Sequence, residues 1–265
     1  MDVCLARGDR EARLKMWIKF CGATRPEDAV AVVQAGADAL GLNFFPGSKR
    51  YVAPEHARGL AEAARAAGNS SQEAAGSPQR AQGCLIVGVF VNAEPAHIRD
   101  TVHCVGLDAV QLHGDETVEE VREIRRLLPQ TLLIRALRAC GDRLPELLAE
   151  IEQLQSSGAV DALLLDAFVP GHFGGTGARL ESAVFTACQQ QTSLPLILAG
   201  GLDPENVAAA VRIFQPFGVD AAGGVENQPG HKNAGKMRVF VDAAWTGCTG
   251  TPVRQVLRRT PPPRL

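Results

Sequence analysis

The sequence predicts a single (β/α)₈ barrel of the α/β class, and three observations support this prediction. Short apolar segments alternate with segments of helical periodicity from residue 17 to residue 245, as in barrels of parallel strands. The last two apolar segments, 194–202 and 218–226, each run into paired glycines. No linker-like stretch interrupts the alternation, so we expect one domain. A doubly wound open sheet is the alternative that the pattern leaves open.

The predicted strands are short, rich in aliphatic residues, and bounded by Gly, Pro, Asn or Asp. Strands that are buried on both faces have this composition because neither face meets water. The six that precede the two glycine-terminated segments lie at 17–21, 37–44, 85–92, 108–113, 131–137 and 161–166.

The intervening segments carry the start and stop signals of helices. The segment 26–36 has proline in its first turn and closes on a glycine, an asymmetry typical of helices. The segment 117–129 has acidic residues early and basic residues late, which suits the helix dipole. Further helices are predicted at 54–68, 142–158, 203–211 and 231–240.

Three segments fall outside the barrel pattern, which we place at 16–245. Residues 1–15 have no periodicity and predict an N-terminal extension. Residues 69–82 have almost no apolar side chain larger than alanine and predict a mobile insertion. Residues 246–265 contain four arginines, four prolines and no acidic residue, which predicts a disordered basic tail.

Composition excludes several functional classes from our expectations. The formal net charge of −2 gives no reason to expect nucleic acid or a membrane as a partner. No apolar run is long enough to span a bilayer, and the charged N-terminus does not resemble a signal peptide. The seven cysteines are scattered without a CxxC pair. We therefore expect a cytoplasmic protein with reduced thiols and no metal site.

The candidate catalytic residues are those that end the predicted strands, because active sites of these barrels lie at the carboxyl ends of the strands. Cys21, His113 and Asp166 end strands one, four and six, Arg50 follows strand two, and Asp220 lies on strand eight. A thiol, an imidazole, two carboxylates and a guanidinium on one rim suit acid–base chemistry on a small anionic substrate.

The paired glycines predict the second half of this site. Gly200 and Gly201 follow strand seven, and Gly223 and Gly224 follow strand eight. Glycine allows the backbone N–H groups to face an anion at close range, and a helix N-terminus after each turn adds to the attraction. The loops after strands seven and eight often bind phosphate in this fold.

Each candidate also has a structural alternative. Cys21 could be a small core residue, and Asp166 could cap or pair because an unpaired buried carboxylate is costly. Arg50 could be solvated, and His113 could bond the turn that follows it.

Seven motifs in order carry a resemblance to a known family over about residues 17–242. They are KFCGATRPEDA, GADALGLNFFPGSKRYV, VGVFVN, VQLHGDE, LLLDA followed by GGTG, LAGGLDPENV and GVDAAGGVENQPGHKN. Together they resemble the phosphoribosylanthranilate isomerases, enzymes of tryptophan biosynthesis.

This resemblance implies an Amadori rearrangement that needs neither metal nor organic cofactor. N-(5-phosphoribosyl)anthranilate would become 1-(2-carboxyphenylamino)-1-deoxyribulose 5-phosphate. Cys21 matches the family's general base, and Asp166 matches its general acid. Arg50 and His113 match positions near the anthranilate, and Asp220 matches a further active-site carboxylate.

The glycine pairs Gly200-Gly201 and Gly223-Gly224 match the family's phosphate site, but the chain departs from the family nearby. Two serines are common where this chain has Ala222 and Gly223, so a hydroxyl contact to phosphate would be lost. A Phe-Asp-Trp run after GGTG is replaced by residues 180–182, and Asn233 replaces an aspartate.

Other functions remain open from the sequence. A related enzyme, such as indole-glycerol-phosphate synthase or another aminoaldose isomerase, would use the same scaffold, although the lysine and glutamate expected of the synthase are missing from the ends of strands one and two. A non-catalytic sugar-phosphate sensor would keep the glycine turns but would not need Cys21 and Asp166. The expected partner is a small-molecule substrate, with the chain as a monomer or homodimer.

Overall fold

Eight parallel strands form a closed barrel in the computed structural model, which describes residues 14–75, 83–139, 141–166, 182–248, 252–254 and 257. Each strand pairs with the next in chain order, and the eighth pairs with the first. The strands are β1 (Leu14–Cys21), β2 (Ala39–Asn43), β3 (Leu85–Phe90), β4 (Ala109–Leu112), β5 (Leu132–Arg138), β6 (Ala162–Asp166), β7 (Leu196–Ala199) and β8 (Gly218–Ala221). This closure confirms the predicted barrel and excludes the open sheet.

Eight helices connect the strands. They are α1 (Pro26–Gln34), α2 (Pro54–Ala75), α3 (Pro95–Val105), α4 (Val118–Leu127), α5 (Leu144–Ser157), α6 (Ser182–Gln191), α7 (Val207–Phe214) and α8 (Ala234–Gly247). Local signals set several of their ends: Thr117 and Glu120 form a reciprocal capping box at the start of α4. Gly106 ends α3 in the left-handed conformation, with a φ of 72°. None of the described helices is long and apolar enough to cross a membrane.

The strands separate two apolar clusters. Trp17, Val87 and Ile197 belong to the cluster inside the barrel, whereas Ile18 and Phe20 belong to the larger cluster that includes residues of the surrounding helices. Because side chains alternate along a strand, every second residue of β1 faces the interior. Lys19 and Cys21 therefore lie on the inward face of β1 together with Trp17.

Two predicted boundaries differ from the structure. β1 begins at Leu14, two residues before the predicted barrel. α2 continues to Ala75 and takes in the first part of the predicted insertion 69–82; residues 76–82 lie outside the described residues. The segment lacks large apolar side chains, but alanine, glutamine and glutamate are strong helix formers, so its composition is compatible with a helix.

Part of the predicted disordered tail is also structured. A strand β11 (Pro252–Arg254) pairs in parallel with Leu14–Met16, the start of β1. Leu257 is only 4% exposed and belongs to the apolar cluster inside the barrel. For these four residues the predicted disorder is therefore wrong, because the charge and proline content of the whole tail outweighed its few apolar residues. The rest of the tail, and residues 1–13, lie outside the described residues.

A short hairpin, β9 (Glu226–Gln228) with β10 (His231–Lys232), follows β8.

We expect Leu257→Ala to lower the free energy of unfolding by about 2–5 kcal/mol, because truncating a buried leucine leaves a cavity. Turnover of the folded protein should not change, since β11 lies beside the first residues of β1, away from the carboxyl ends of the strands. Denaturant unfolding followed by circular dichroism measures the change. Val239→Ala, at a side chain that is 56% exposed, is the control and should cost no more than about 0.5 kcal/mol. Equal unfolding midpoints for Leu257→Ala and the parent would show that the tail does not contribute to the barrel.

Candidate active site at the carboxyl ends of the strands

The structure brings the predicted site residues to the carboxyl ends of the strands. Cys21 and Asp166 are the last residues of β1 and β6, and His113 directly follows β4. Strands β7 and β8 lie between β6 and β1 in the closed barrel, so the thiol and the Asp166 carboxylate occupy different sides of the barrel mouth. Both residues are partly exposed.

His113 and Asp166 form one pair. His113 Nε2 lies 3.4 Å from Asp166 Oδ2, and both side chains are 28% exposed. Gln111 Nε2 lies 2.9 Å from His113 Nδ1. Gln111 therefore lies against one ring nitrogen of His113 and Asp166 against the other. Asp166 is therefore neither a buried orphan nor freely solvated. Gln111 was not singled out from the sequence, although its inward position two residues before His113 follows from strand alternation.

A buried network holds the turn that carries His113. Arg135 Nη1 donates to Glu116 Oε2 over 2.6 Å and to the backbone oxygen of Gly114 over 3.0 Å. Glu116 Oε1 in turn accepts from the backbone N–H of Asn92 over 2.9 Å. Arg135 and Glu116 are 4% and 6% exposed. Because charged pairs are strongest where water is excluded, this network fixes the loop after β4 against the loop after β3 and against strand β5.

Cys21 lies beside a buried lysine that the sequence analysis did not single out. Lys19 is fully buried, and its Nζ is 3.0 Å from Asp220 Oδ2. Lys19 and Cys21 lie two residues apart on the inward face of β1, and the two groups interact electrostatically. Burial would lower the pKa of Lys19, but Asp220 and Cys21 outweigh it, so the net pKa is raised. Burial raises the pKa of the Cys21 thiol, and Asp220 adds to this, while Lys19 and Lys232 oppose it.

The close approach of β2 gives the thiol its place. Cys21 and Gly41 are partners in the β1–β2 pairing. A Cβ atom on Gly41 would lie 2.7 Å from Cys21 Sγ, which no real contact permits. A glycine inside a strand often marks such a close approach, and this signal could have identified Gly41 from the sequence.

Arg50 is held by a second buried carboxylate, Glu226. Arg50 Nε and Nη2 donate to the two Glu226 oxygens over 2.8 and 2.6 Å, and this bond raises the pKa of Arg50 despite its partial burial. Lys232 Nζ lies 2.7 Å from Glu226 Oε1 and also donates to the backbone oxygens of Cys21 and Ala222. Burial lowers the pKa of Lys232. Burial would raise the pKa of Glu226, but Arg50 and Lys232 lower it below its ordinary value. Glu226 and Lys232 thus tie the ends of β1 and β8 together.

The two glycine turns lie side by side. Gly200 and Gly201 follow β7 with φ of 95° and 66°, a region that side chains other than glycine rarely adopt. A Cβ on Gly224 would lie 2.8 Å from the Cβ of Asp203, so the turn after β8 packs against the loop after β7. A Cβ on Gly223 would lie 3.4 Å from Arg50 Nη2. The guanidinium therefore borders the expected phosphate cradle. The GGTG segment, 174–177, lies outside the described residues.

Comparisons with known proteins agree with this geometry. The sequence profile of the N-(5′-phosphoribosyl)anthranilate (PRA) isomerases matches residues 18–243. The enzyme of that name from Myxococcus xanthus is 42% identical over 227 residues, 86% of this chain and 95% of that protein.

Solved structures give the same result. Phosphoribosyl anthranilate isomerase from Thermotoga maritima is 34% identical, with a TM-score of 0.69 over 87% of this chain and 98% of that one. A complex of such an isomerase with reduced 1-(o-carboxyphenylamino)-1-deoxyribulose 5-phosphate is 33% identical, with a TM-score of 0.66 and the same coverage. The chain therefore belongs to the N-(5′-phosphoribosyl)anthranilate isomerase family.

Proposed function

We propose that the chain converts N-(5-phosphoribosyl)anthranilate into 1-(2-carboxyphenylamino)-1-deoxyribulose 5-phosphate, in tryptophan biosynthesis, by acid–base catalysis from its own side chains. The observation that carries this proposal is the arrangement of a thiol at the end of β1 and a carboxyl group at the end of β6, beside paired glycine turns. Membership of the family supports it, as does the related structure with a bound reduced product.

In the proposed mechanism, Asp166 acts first as a general acid. Its proton passes to the furanose ring oxygen as the bond from that oxygen to C1 breaks, and the open chain becomes a protonated Schiff base. The Cys21 thiolate then removes the proton from C2, giving an enolamine. The thiol then returns a proton to C1, and the enol proton passes to the Asp166 carboxylate as the ketone forms. Cys21 is again a thiolate and Asp166 is again protonated, so the protons balance over one turnover.

Neighbouring groups support these two roles. His113, whose Nε2 lies 3.4 Å from Asp166 Oδ2, would orient that carboxyl group, and the substrate's anthranilate would lie nearby. The bonds from Arg50 to Glu226 use Nε and Nη2, so Nη1 is outside that pair and available to a substrate carboxylate. Asp220 is proposed to border the substrate from β8.

The proposed phosphate site consists of the backbone turns at Gly200-Gly201 and Gly223-Gly224. Ala222 and Gly223 supply no hydroxyl, so backbone N–H groups would make the contacts there. We propose a monomer or homodimer in the cytoplasm, acting on a small molecule rather than nucleic acid. A reducing compartment is supported by the thiols of Cys104 and Cys248, which form no disulfide among the described residues.

We expect Cys21→Ala to reduce turnover about 10²–10⁴-fold, the usual contribution of a general base. The loss of fluorescence of the substrate measures turnover, and mass spectrometry identifies the product. Cys104→Ala, at an exposed thiol, is the matched control and should retain full activity. Affinity for the reduced product should persist in Cys21→Ala. More than about a tenth of parental activity in Cys21→Ala would contradict the general-base role, and a parent protein that binds but never turns over would favour the sugar-phosphate sensor.

We expect Asp166→Asn to lower turnover about 10²–10⁴-fold as well, with little change in affinity for the reduced product. Asparagine keeps the shape of the side chain but cannot transfer a proton, so the loss should fall on the transition state. The limb of the parental pH–rate profile that reports the acid should be missing from any residual activity. Calorimetry separates the alternative: a variant with a lower melting temperature but parental turnover per folded site would show that Asp166 is structural.

A further inference from the structure

The strand pair that closes the barrel carries a complete buried ion pair. Lys19 on β1 and Asp220 on β8 are direct partners in the β1–β8 pairing, with 3.0 Å between Nζ and Oδ2. Lys19 is fully buried and Asp220 is 8% exposed. Burying two charges costs more than an apolar pair would, so barrel closure alone does not explain them. Their position beside Cys21 suggests a chemical reason.

Charged groups reach the Cys21 thiol from several elements. Lys19 lies on the inward face of the same strand, two residues before Cys21, and its partner Asp220 lies on the adjacent strand β8; both influence the thiol electrostatically. Lys232, from the hairpin after β8, and Arg50, from the loop after β2, add positive charge. Lys232 and Arg50 both bond Glu226, which neutralises much of their charge. Lys19 has no bond to Glu226 among the described residues, shares the inward face of β1 with the thiol, and is the cation with the largest electrostatic effect on it.

We propose, on the basis of the proposed isomerase function, that Lys19 is a positioning residue that stabilises the Cys21 thiolate when it forms and so offsets part of the cost of burial, with Asp220 keeping the Lys19 ammonium charged and in place. Lys19 keeps its proton throughout the reaction, and the proton taken from C2 stays on sulfur until it is returned. Asp220 therefore has two proposed roles: it neutralises and positions Lys19, and it borders the substrate.

The second oxygen of Asp220 is consistent with this arrangement. Asp220 Oδ1 is buried and has no hydrogen-bond partner among the described residues. A carboxylate that serves only to neutralise a buried lysine would gain from bonding both oxygens. One oxygen engaged by Lys19 and one left unpaired beside the thiol fit a group that contacts the substrate once it is bound.

The experiment measures the thiol directly. Iodoacetamide alkylation of Cys21 is followed by mass spectrometry across pH in the parent protein, in Lys19→Met and in the double variant Lys19→Met/Asp220→Asn, with Cys104 as an internal reference. We expect the midpoint for Cys21 to rise by about one to three pH units in Lys19→Met, the usual effect of removing an adjacent opposite charge. The midpoint for Cys104 should not move.

Turnover should follow the thiol. We expect kcat/KM at neutral pH to fall about tenfold for each unit by which the thiol midpoint rises, and the alkaline limb of the pH–rate profile to move upward with it. In the double variant, which removes both charges and so avoids an unpaired buried carboxylate, the midpoint should stay above the parental value, although less so than in Lys19→Met.

A purely structural role of the ion pair gives a different result. If Lys19 only neutralises Asp220, the double variant recovers the parental alkylation midpoint of Cys21, and the inference is overturned. The alkylation profile does not depend on turnover, so the tests are separable. An unchanged midpoint in Lys19→Met, with Cys21→Ala inactive, overturns the role of Lys19 and leaves the isomerase proposal standing. An active Cys21→Ala overturns the general base instead.

Discussion

The pairing of β1 with β8 is the constraint on which the site depends. Closure aligns Lys19 with Asp220 across the seam, and it brings the end of β1 to the turn that follows β8. Lys232 then reaches back from that turn to the backbone oxygens of Cys21 and Ala222. A change in register by one residue would turn every inward side chain outward. The thiol and its neighbouring charges therefore exist as a group only in the closed barrel.

Two buried carboxylates, Glu226 and Glu116, hold the loops at the carboxyl ends of the strands. Glu226 fixes Arg50 and Lys232 on the side of β1, β2 and β8, and Glu116 fixes Arg135 and the turn after β4 on the other side. Each satisfies a cation and at least one backbone N–H. Breaking any of these bonds would leave a buried polar group without a partner, which is costly. The bonds therefore hold the loops in place, whereas the apolar residues of the strands supply most of the stability.

Sequence reasoning predicted the barrel and the positions of the rim residues, because strand alternation and paired glycines are local signals. It missed Lys19, Glu226 and Lys232, since lysine and glutamate are expected at the surface and their burial here results from partners about 170 to 210 residues away in the chain. It also placed Leu257 in a disordered tail. Composition describes the average of a whole segment. It therefore cannot identify a single apolar residue, such as Leu257, that packs inside the barrel.

Gly41 has a consequence for attempts to transplant this chemistry. The space for the Cys21 sulfur comes from the neighbouring strand, where any side chain would collide with it. Engineering a cysteine at the end of the first strand of another barrel would therefore produce a displaced thiol, unless the residue paired with it on the adjacent strand were also changed to glycine. The transferable unit is therefore a pair of neighbouring strands. A designer must transfer the cysteine on the first strand together with the glycine at the paired position of the second.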